Sequence, residues 1–311
     1  MTVAAGDRRG TVHSSVGTLE TVVRSRTPER AAAPTAVPAP SRRARANVEL
    51  VGRVQGARDR FQQATSEPAF SDFCGTFVTE ATGAVPFFLQ RPVRTAAAVI
   101  AALRLPVYRA QLGEGPGAEI IRWTLTWHVL PGVPVGLTGV GMLQVPERSE
   151  DYVAGSSKQT LRRKIRAAEK AGITFRTVDD PAERRALVAQ AQHAETVHPD
   201  ETYRNAEPNV DDLLEHDLWL AAYSRDDRPL LLSVTPTDGE WALLRYFRTL
   251  GSGDEYSLSR YLMSRALVEA LSARGVRHLV DTYPPLRLPT GLRHFQRMVG
   301  FRTVRARVAR T

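Results

Sequence analysis

Hydrophobic positions divide the second half of the chain into segments with the spacing of strands and helices. Apolar residues from Trp241 to Phe247 predict a strand that runs into a glycine-containing loop. From about Ser257 the apolar residues recur every three or four positions, which is typical of an amphipathic helix. Val276 to Asp281 predicts the next strand. A short helix that ends at Gly300 then leads into a last strand.

A second α/β unit precedes that stretch. Ile173 to Val178 predicts a strand, and Asp180, Pro181 and Glu183 form the N-cap, first-turn proline and N3 acid of a helix start. A short acidic helix follows, and two further strands are predicted at Leu218 to Ser224 and Leu230 to Thr235. The element order becomes β-α-α-β-β-β-α-β-α-β, which predicts a mixed α/β (α+β) sheet fold.

The most regular helical pattern lies between residues 156 and 172. Ser156 or Ser157 can cap this helix and Gly172 can end it. A narrow apolar stripe consists of Leu161, Ile165 and Ala168. The other faces carry one acid, Glu169, against six bases: Lys158, Arg162, Arg163, Lys164, Arg166 and Lys170. Such a face either is solvated or binds an anion, and the sequence leaves both readings open.

The first half of the chain has a weaker pattern. Residues 1–46 are rich in Arg, Ala and Pro, and we expect a disordered tail. Residues 47–155 predict a smaller α/β subdomain. Within it we expect a helix from Thr95 to Leu112 that Pro106 kinks or ends, a strand from Trp123 to Val129, and strand segments between Val133 and Val145.

Charge changes the picture because it is clustered. The chain has 42 Lys and Arg against 33 Asp and Glu, a net charge of +9. The excess lies in residues 1–46, 158–172 and 293–311. Such clustering suggests a polyanionic partner or ligand, whereas for residues 1–46 alone we favour a solvated, disordered tail. The single cysteine, Cys74, excludes an intramolecular disulfide and a cysteine-based metal site. Without a signal-like or membrane-spanning apolar run, we expect a cytoplasmic protein with no membrane span.

The glycine-containing loop is the first candidate site. Arg248, Gly251, Ser252 and Gly253 stand between a predicted strand and a predicted helix. Unpaired N–H groups and the helix dipole make such a position suitable for an anion, and the arginine adds a positive charge.

The element order and this loop resemble the GCN5-related N-acetyltransferase (GNAT) fold. Arg248-Thr-Leu-Gly251-Ser-Gly253 matches that family's Arg/Gln-x-x-Gly-x-Gly/Ala pyrophosphate loop, and the segment from Gly291 to Phe301 is similar to its late helix and Gly-Phe strand. The resemblance covers about residues 172–311, within a predicted domain 156–311. The basic helix ending in AEKAGI is similar to the Fem-like branch, whose members transfer amino acids from aminoacyl-tRNA. Residues 47–155 would then be a reduced first copy or a partner layer.

The resemblance implies an acyl-CoA co-substrate, such as acetyl-CoA, and no metal. Arg248, Gly251, Ser252, Gly253 and Ser257 would hold it, and backbone N–H groups between Leu243 and Phe247 would polarise the acyl carbonyl. Two features depart from the family pattern. The acids Asp254 and Glu255 follow the loop, and Gln296 stands near the position of the family's tyrosine acid.

Asp281 and Tyr283 are the acid and base candidates, because they follow a predicted strand at the sheet edge where α/β proteins bind ligands. Alternatively, Asp281 pins the loop before Pro284 and Tyr283 packs against it. His198, Glu201 and Tyr203 lie on the polar connection that often shapes the acceptor pocket in this fold.

Three functions follow. The first is N-acyl transfer from acyl-CoA to an amine of a small molecule or peptide. The alternative is aminoacyl transfer from tRNA, with the six cations of the basic helix on phosphates. The third is a GNAT-like binding module without catalysis.

Overall fold

The structure, a computed structural model, describes residues 66–81, 83–130, 133–201 and 204–309. All described residues belong to one compact unit. The predicted disordered tail therefore lies outside the described residues. Within the described ranges, each helix is too short or too polar to span a lipid bilayer.

A six-stranded mixed sheet joins the two predicted halves of the chain. Its strands follow the order β1-β12-β4-β11-β9-β8. β1 and β4 come from the segment predicted as a separate subdomain, and they pair with β12 and β11. The predicted division at residue 155 stays a prediction. The strands are β1 Val107–Ala110, β4 Val140–Gln144, β8 Thr237–Asp238, β9 Trp241–Leu244, β11 His278–Asp281 and β12 Arg302–Val308.

A second sheet of four antiparallel strands, in the order β10-β7-β6-β5, stands beside the first. Its hairpin turn between β6 and β7 contains Asp227 with a φ of 57°, a left-handed conformation that Asp tolerates in turns. The strands are β5 Thr174–Thr177, β6 Leu218–Tyr223, β7 Pro229–Thr235 and β10 Tyr246–Thr249. A minor pair consists of β2 His128–Leu130 and β3 Val133–Pro134.

The predicted strand from Trp241 to Phe247 is wrong in one respect, because it is two strands. β9 pairs in parallel with β11, whereas β10 pairs antiparallel with β7 in the other sheet. At the break, the N–H of Arg245 bonds back to the carbonyl of Leu243 at 2.8 Å. Its guanidinium forms two 2.7 Å hydrogen bonds with Asp212. The chain changes partners here, so β9 and β10 belong to different sheets and diverge at Arg245.

Helices cover both faces of the two sheets. α6 (Gln159–Lys170), α8 (Asp254–Ala273) and α9 (Thr290–Val299) share one core with residues of both sheets. α7 (Pro181–Thr196) packs on the other face of the four-stranded sheet around Trp219. The helical residues 66–80 (α1), α3 (Pro92–Leu103) and α4 (Pro116–Thr126) form the core beneath the six-stranded sheet. Alternate strand residues point to opposite cores, as the pleat requires.

The first half of the chain contains the largest corrections. The predicted strand from Trp123 to Val129 is the end of α4 and the start of β2. Trp123 and Trp127 are four residues apart, and their rings lie 6.3 Å apart, so helical spacing explains the pattern that suggested alternation. The predicted helix from Thr95 ends at Leu103, before Pro106, and the next residues form β1. Between 133 and 144 the short helix α5 (Val135–Thr138) separates β3 from β4.

Signals of local chemistry were accurate elsewhere. Asp180 caps α7 by accepting a hydrogen bond from the N–H of Ala182 at 3.0 Å. Gly172, Gly275 and Gly300 follow helix ends with positive φ angles, which an L side chain rarely adopts. The buried stripe of α6 is the predicted one. However, a short 3₁₀ turn, Ser156–Lys158, precedes α6, and neither predicted serine caps it.

Candidate active-site cleft and basic helix

We call the place where β9 and β10 diverge the candidate cleft; along the chain it precedes the glycine loop and α8. At this place the hydroxyl of Thr282 donates to the carbonyl of Leu244 at 2.7 Å and ties the end of β11 to the end of β9. The N–H groups of Leu243 and Arg245 already bond to the carbonyls of Pro236 and Leu243. Those two groups therefore cannot polarise a substrate carbonyl, contrary to the wider expectation for this strand.

The helix after the glycine loop begins earlier than its apolar pattern predicts. α8 starts at Asp254, directly after Gly253, and Ser257 lies in its first turn. The start near Ser257 was wrong because Asp254 and Glu255 are polar, yet carboxylates are favoured in a first helical turn by the helix dipole. The glycine loop thus meets the N–H end of α8, the arrangement that anion binding requires.

The protein's own side chains fill this loop. Tyr256 lies across Gly251, and a Cβ atom there would stand 2.5 Å from the ring. Arg228 donates to the hydroxyl of Tyr256 at 3.0 Å and forms an ion pair with Glu255 at 2.8 Å. The cation nearest to the loop is therefore neutralised by a carboxylate of the same helix turn.

Arg248, the predicted phosphate ligand, forms other contacts. It donates to the hydroxyl of Tyr283 at 2.6 Å and forms an ion pair with Glu195 at 3.3 Å. Glu195 is buried, and burial together with this carboxylate raises the pKa of the adjacent Tyr246. The structure thus joins two residues that the sequence placed in separate roles, Arg248 and Tyr283.

Glu195 is the residue that the sequence analysis missed. It lies on α7 at the same spacing as Leu187 and Ala191, so the buried stripe of that helix ends in a carboxylate. That interruption of an apolar stripe was the available signal, because buried carboxylates need a partner. Asn205, from the segment predicted to lie near the substrate, donates to Glu195 at 3.4 Å. In that segment His198 accepts a hydrogen bond from the N–H of Asp200, and Tyr203 lies outside the described residues.

Asp281 is fully buried beneath α9 rather than exposed in the cleft. The side-chain amide of Gln296 donates to one of its oxygens, and the N–H of Tyr283 donates to the other at 3.0 Å. Burial raises the pKa of Asp281 from its ordinary value of 3.8 to about 7. Tyr283 is 40% exposed. The predicted pair is therefore linked through the backbone, with one member inside the core and the other at the surface.

The predicted anion-binding face of α6 separates into structural and free cations. Arg162 donates to the carbonyls of Val153 and Gly155, both at 2.6 Å, and so holds the turn before the helix. Arg163, Arg166 and Lys170 are exposed and form no ion pair among the described residues. The free cations are the ones available to a ligand.

Lys164 connects this helix to the cleft. Its ammonium lies 5.9 Å from the centre of the Tyr261 ring. Tyr261 contacts Phe295 at 5.5 Å, and Phe295 stacks on Phe247 of β10 at 6.2 Å. α6 therefore packs against α8, and the ring of Phe295 on α9 connects that contact to β10.

A pocket of about 260 Å³ lies at the start of the same helix, and Lys158 and Arg302 both line it. Burial lowers the pKa of Lys158, and the charge of Arg302 lowers it further. Lys158 donates to the carbonyl of Val299 at 3.3 Å, and the exposed Asp151 also lines the pocket. Neither cation has a carboxylate within ion-pair distance among the described residues, so an anion bound here would relieve their repulsion.

Two arginines of the C-terminal basic segment are structural. Arg293 donates to the carbonyls of Ser71, Pro285 and Leu288. Arg305 donates to the carbonyls of Leu103 and Leu105 at the end of α3. The net charge of this segment is therefore larger than the number of its arginines that are free to contact phosphates.

The fold is a mixed α/β one. No protein-family model and no curated protein matches the chain. Among solved structures, L-PGS from Bacillus licheniformis is similar with 12% identity and a TM-score of 0.40, over 53% of this chain and 57% of that one. The C-terminal domain of a protein described as a lysylphosphatidylglycerol synthetase from Agrobacterium fabrum is similar with 13% identity and a TM-score of 0.39, over 53% and 58%.

The chain thus spans less than two thirds of the length of either of these two structures. Any function has to be argued from its own residues.

Proposed function

We propose that this protein transfers an aminoacyl group from aminoacyl-tRNA to an amine of a small molecule or peptide. The observation that carries the proposal is the position of α6. Its free cations Arg163, Arg166 and Lys170 lie on a helix that packs against α8, where Lys164 contacts the ring of Tyr261. A polyanionic donor bound along this helix would place its reactive end near the diverging strands.

The glycine loop supports the same choice. Tyr256 occupies the space that a pyrophosphate would fill. Glu255 neutralises Arg228, the cation with which a pyrophosphate would pair. Arg248 is held by Glu195 and Tyr283 instead of facing that loop. A donor that is held through a remote polyanion does not need the loop, whereas acyl-CoA does.

The chemistry requires two proton transfers. A bond forms between the acceptor nitrogen and the aminoacyl carbonyl carbon, and the ester bond to the terminal ribose breaks. The acceptor ammonium loses a proton and the ribose oxygen gains one. Tyr283 has the exposed hydroxyl at the end of β11, and we assign it the proton delivered to the ribose oxygen. Arg248 positions that hydroxyl, and Asp281 positions the Tyr283 backbone from below.

Binding of tRNA tests the role of α6. We expect tRNA affinity to fall with salt, with a slope of roughly −0.9 per neutralised duplex phosphate. The triple variant R163E/R166E/K170E should bind at least about tenfold more weakly and show a shallower slope. A matched control with the same charge change, R94E/R104E/R185E, alters exposed residues of α3 and α7 and should bind as the wild type does. If both variants bind tRNA equally well, α6 does not bind tRNA and the proposal is wrong.

Turnover tests the role of Tyr283. With aminoacyl-tRNA and a panel of amines, Y283F should lower kcat by about 10²-fold or more, while tRNA binding stays unchanged. Unchanged turnover by Y283F would mean that a group other than Tyr283 delivers the proton to the ribose oxygen. If neither aminoacyl-tRNA nor acyl-CoA supports turnover by the wild type, the protein is a binding module without catalysis.

A second candidate function is N-acyl transfer from acyl-CoA. It is favoured by one observation, the direct junction of Gly253 with the N-terminus of α8. Titration calorimetry with acetyl-CoA and with CoA tests it, and no heat at sub-millimolar ligand would end it. G253D should abolish any binding that is seen, because it adds a carboxylate where the pyrophosphate would lie.

A further inference from the structure

The helices α2 (Ala84–Gln90) and α3 expose large apolar side chains to solvent. Val93 is 81% exposed and Leu89 is 74% exposed, although single exposed apolar residues on most proteins are scattered. Val85, Val99, Ile100 and Leu103 are exposed on the same two consecutive helices. We call these six residues the α2–α3 apolar surface.

α3 is apolar on both sides. Ala98, Ala101 and Ala102 face inward and belong to the core beneath the six-stranded sheet. Val93, Ile100 and Leu103 are spaced seven and three residues apart and face outward. A helix that is hydrophobic all round requires an apolar environment on its outer side as well.

The segment that carries this surface holds charges of one sign. No Asp or Glu occurs between residues 81 and 113, whereas that segment holds Arg91, Arg94, Arg104 and Arg109. Arg91 pairs with Glu80 at 2.7 Å. The other three arginines are exposed and form no ion pair among the described residues.

We propose that the α2–α3 apolar surface docks this protein on a membrane that carries anionic phospholipids. Apolar side chains flanked by arginine on a helix surface fit the headgroup boundary of a bilayer, where the apolar chains insert and the guanidinium groups meet phosphates. The described helices lie on such a membrane and do not cross it. This inference does not depend on the aminoacyl-transfer proposal.

A second copy of the chain fits the same surface less well. Face-to-face docking would bring the unpaired Arg94 and Arg104 of each copy together, and the segment from 81 to 113 has no acid to pair with them. Repulsion between like charges at an interface opposes such a dimer, whereas lipid phosphates neutralise the same arginines.

Co-sedimentation of the full chain with vesicles tests the inference. We expect binding to vesicles of phosphatidylcholine with phosphatidylglycerol, and weak binding to phosphatidylcholine alone. The variant L89Q/V93Q/I100Q/L103Q should partition at least about tenfold more weakly. A control, F175Q/L214Q, makes the same apolar-to-polar change at exposed positions on the other side of the fold and should bind as the wild type does.

Two results would overturn the inference. One is unchanged vesicle binding by the quadruple variant, which would assign the binding to charge elsewhere, such as the arginine-rich residues 1–46. The other is a wild-type dimer in light scattering that the quadruple variant alone converts to a monomer. If the quadruple variant fails to fold, R94E/R104E/R109E takes its place. Since each arginine near an anionic surface contributes roughly fivefold, this variant should bind at least about tenfold more weakly, and unchanged binding would overturn the inference.

Discussion

The ring of Tyr256 lies across Gly251, and a Cβ atom at position 251 would stand 2.5 Å from the Cζ atom of that ring. The glycine is therefore needed because a neighbouring side chain occupies the space, and a cofactor need not be invoked. The same loop that suggests a pyrophosphate site in the sequence is used here to seat an aromatic residue against Arg228.

Gly251→Ala should lower the free energy of unfolding by about 1 kcal/mol, because the added methyl displaces Tyr256 and weakens its hydrogen bond to Arg228. In a Tyr256→Ala background the same change should cost less, with a coupling energy of at least about 0.5 kcal/mol. Urea denaturation of the four proteins measures this cycle. An equal cost in both backgrounds would contradict the steric explanation.

Asp281→Asn should change how stability depends on pH. Burial raises the pKa of Asp281 from 3.8 to about 7, so the folded protein keeps a proton that the unfolded chain releases. The stability that this proton provides is fully present below about pH 4 and is lost as the pH rises to about 7.

The free energy of unfolding of D281N relative to the wild type should therefore increase across that window, by up to about 1.4 kcal/mol per pH unit. Gln296 can reverse its amide and accept a hydrogen bond from the amide that the substitution introduces. Urea denaturation at several pH values measures the difference, and parallel curves for the two proteins would be contrary to it.

Arg305→Met should destabilise the fold without affecting the binding of tRNA. Arg305 donates to the carbonyls of Leu103, the last residue of α3, and of Leu105, and their loss of a charged donor should cost about 1–2 kcal/mol. Arg307→Met is the matched control, since this exposed residue lies two positions away on the same strand and should cost less than about 0.5 kcal/mol. Thermal melts and tRNA binding distinguish the two. If R305M loses tRNA affinity at unchanged stability, Arg305 contacts a phosphate of tRNA and does not serve the fold.

Lys158→Met should move stability and binding in opposite directions. Burial and Arg302 both lower the pKa of Lys158, which means that the fold disfavours its charged form. Removing this charge should therefore increase the free energy of unfolding of the protein without ligand. If the pocket binds a phosphate of tRNA, the same variant should weaken tRNA binding and reduce the salt slope by about 0.9. A melting scan and a salt titration measure both effects. A variant that is less stable and binds tRNA normally would mean that Lys158 only supports the turn.

Features that depend on a few neighbouring residues were predictable from the sequence. The cap of α7 depends on Asp180 and Pro181, and helix ends depend on glycines that adopt positive φ angles. Where one pattern satisfies two periods the prediction failed: Trp123, Leu125 and Trp127 alternate as in a strand, yet Trp123 and Trp127 also share one face of a helix.

The amino-acid sequence by itself determined the mixed α/β order, the buried stripe of α6 and the cluster of charge, because these follow from local geometry and composition. Only the tertiary structure decided which cations are free. Hydrogen bonds to backbone carbonyls hold Arg162, Arg293 and Arg305, and a carboxylate and a hydroxyl hold Arg248. These partners lie far away in the chain or on another element. It also decided that the strand from Trp241 breaks at Arg245, since a strand's partner depends on pairing with distant residues.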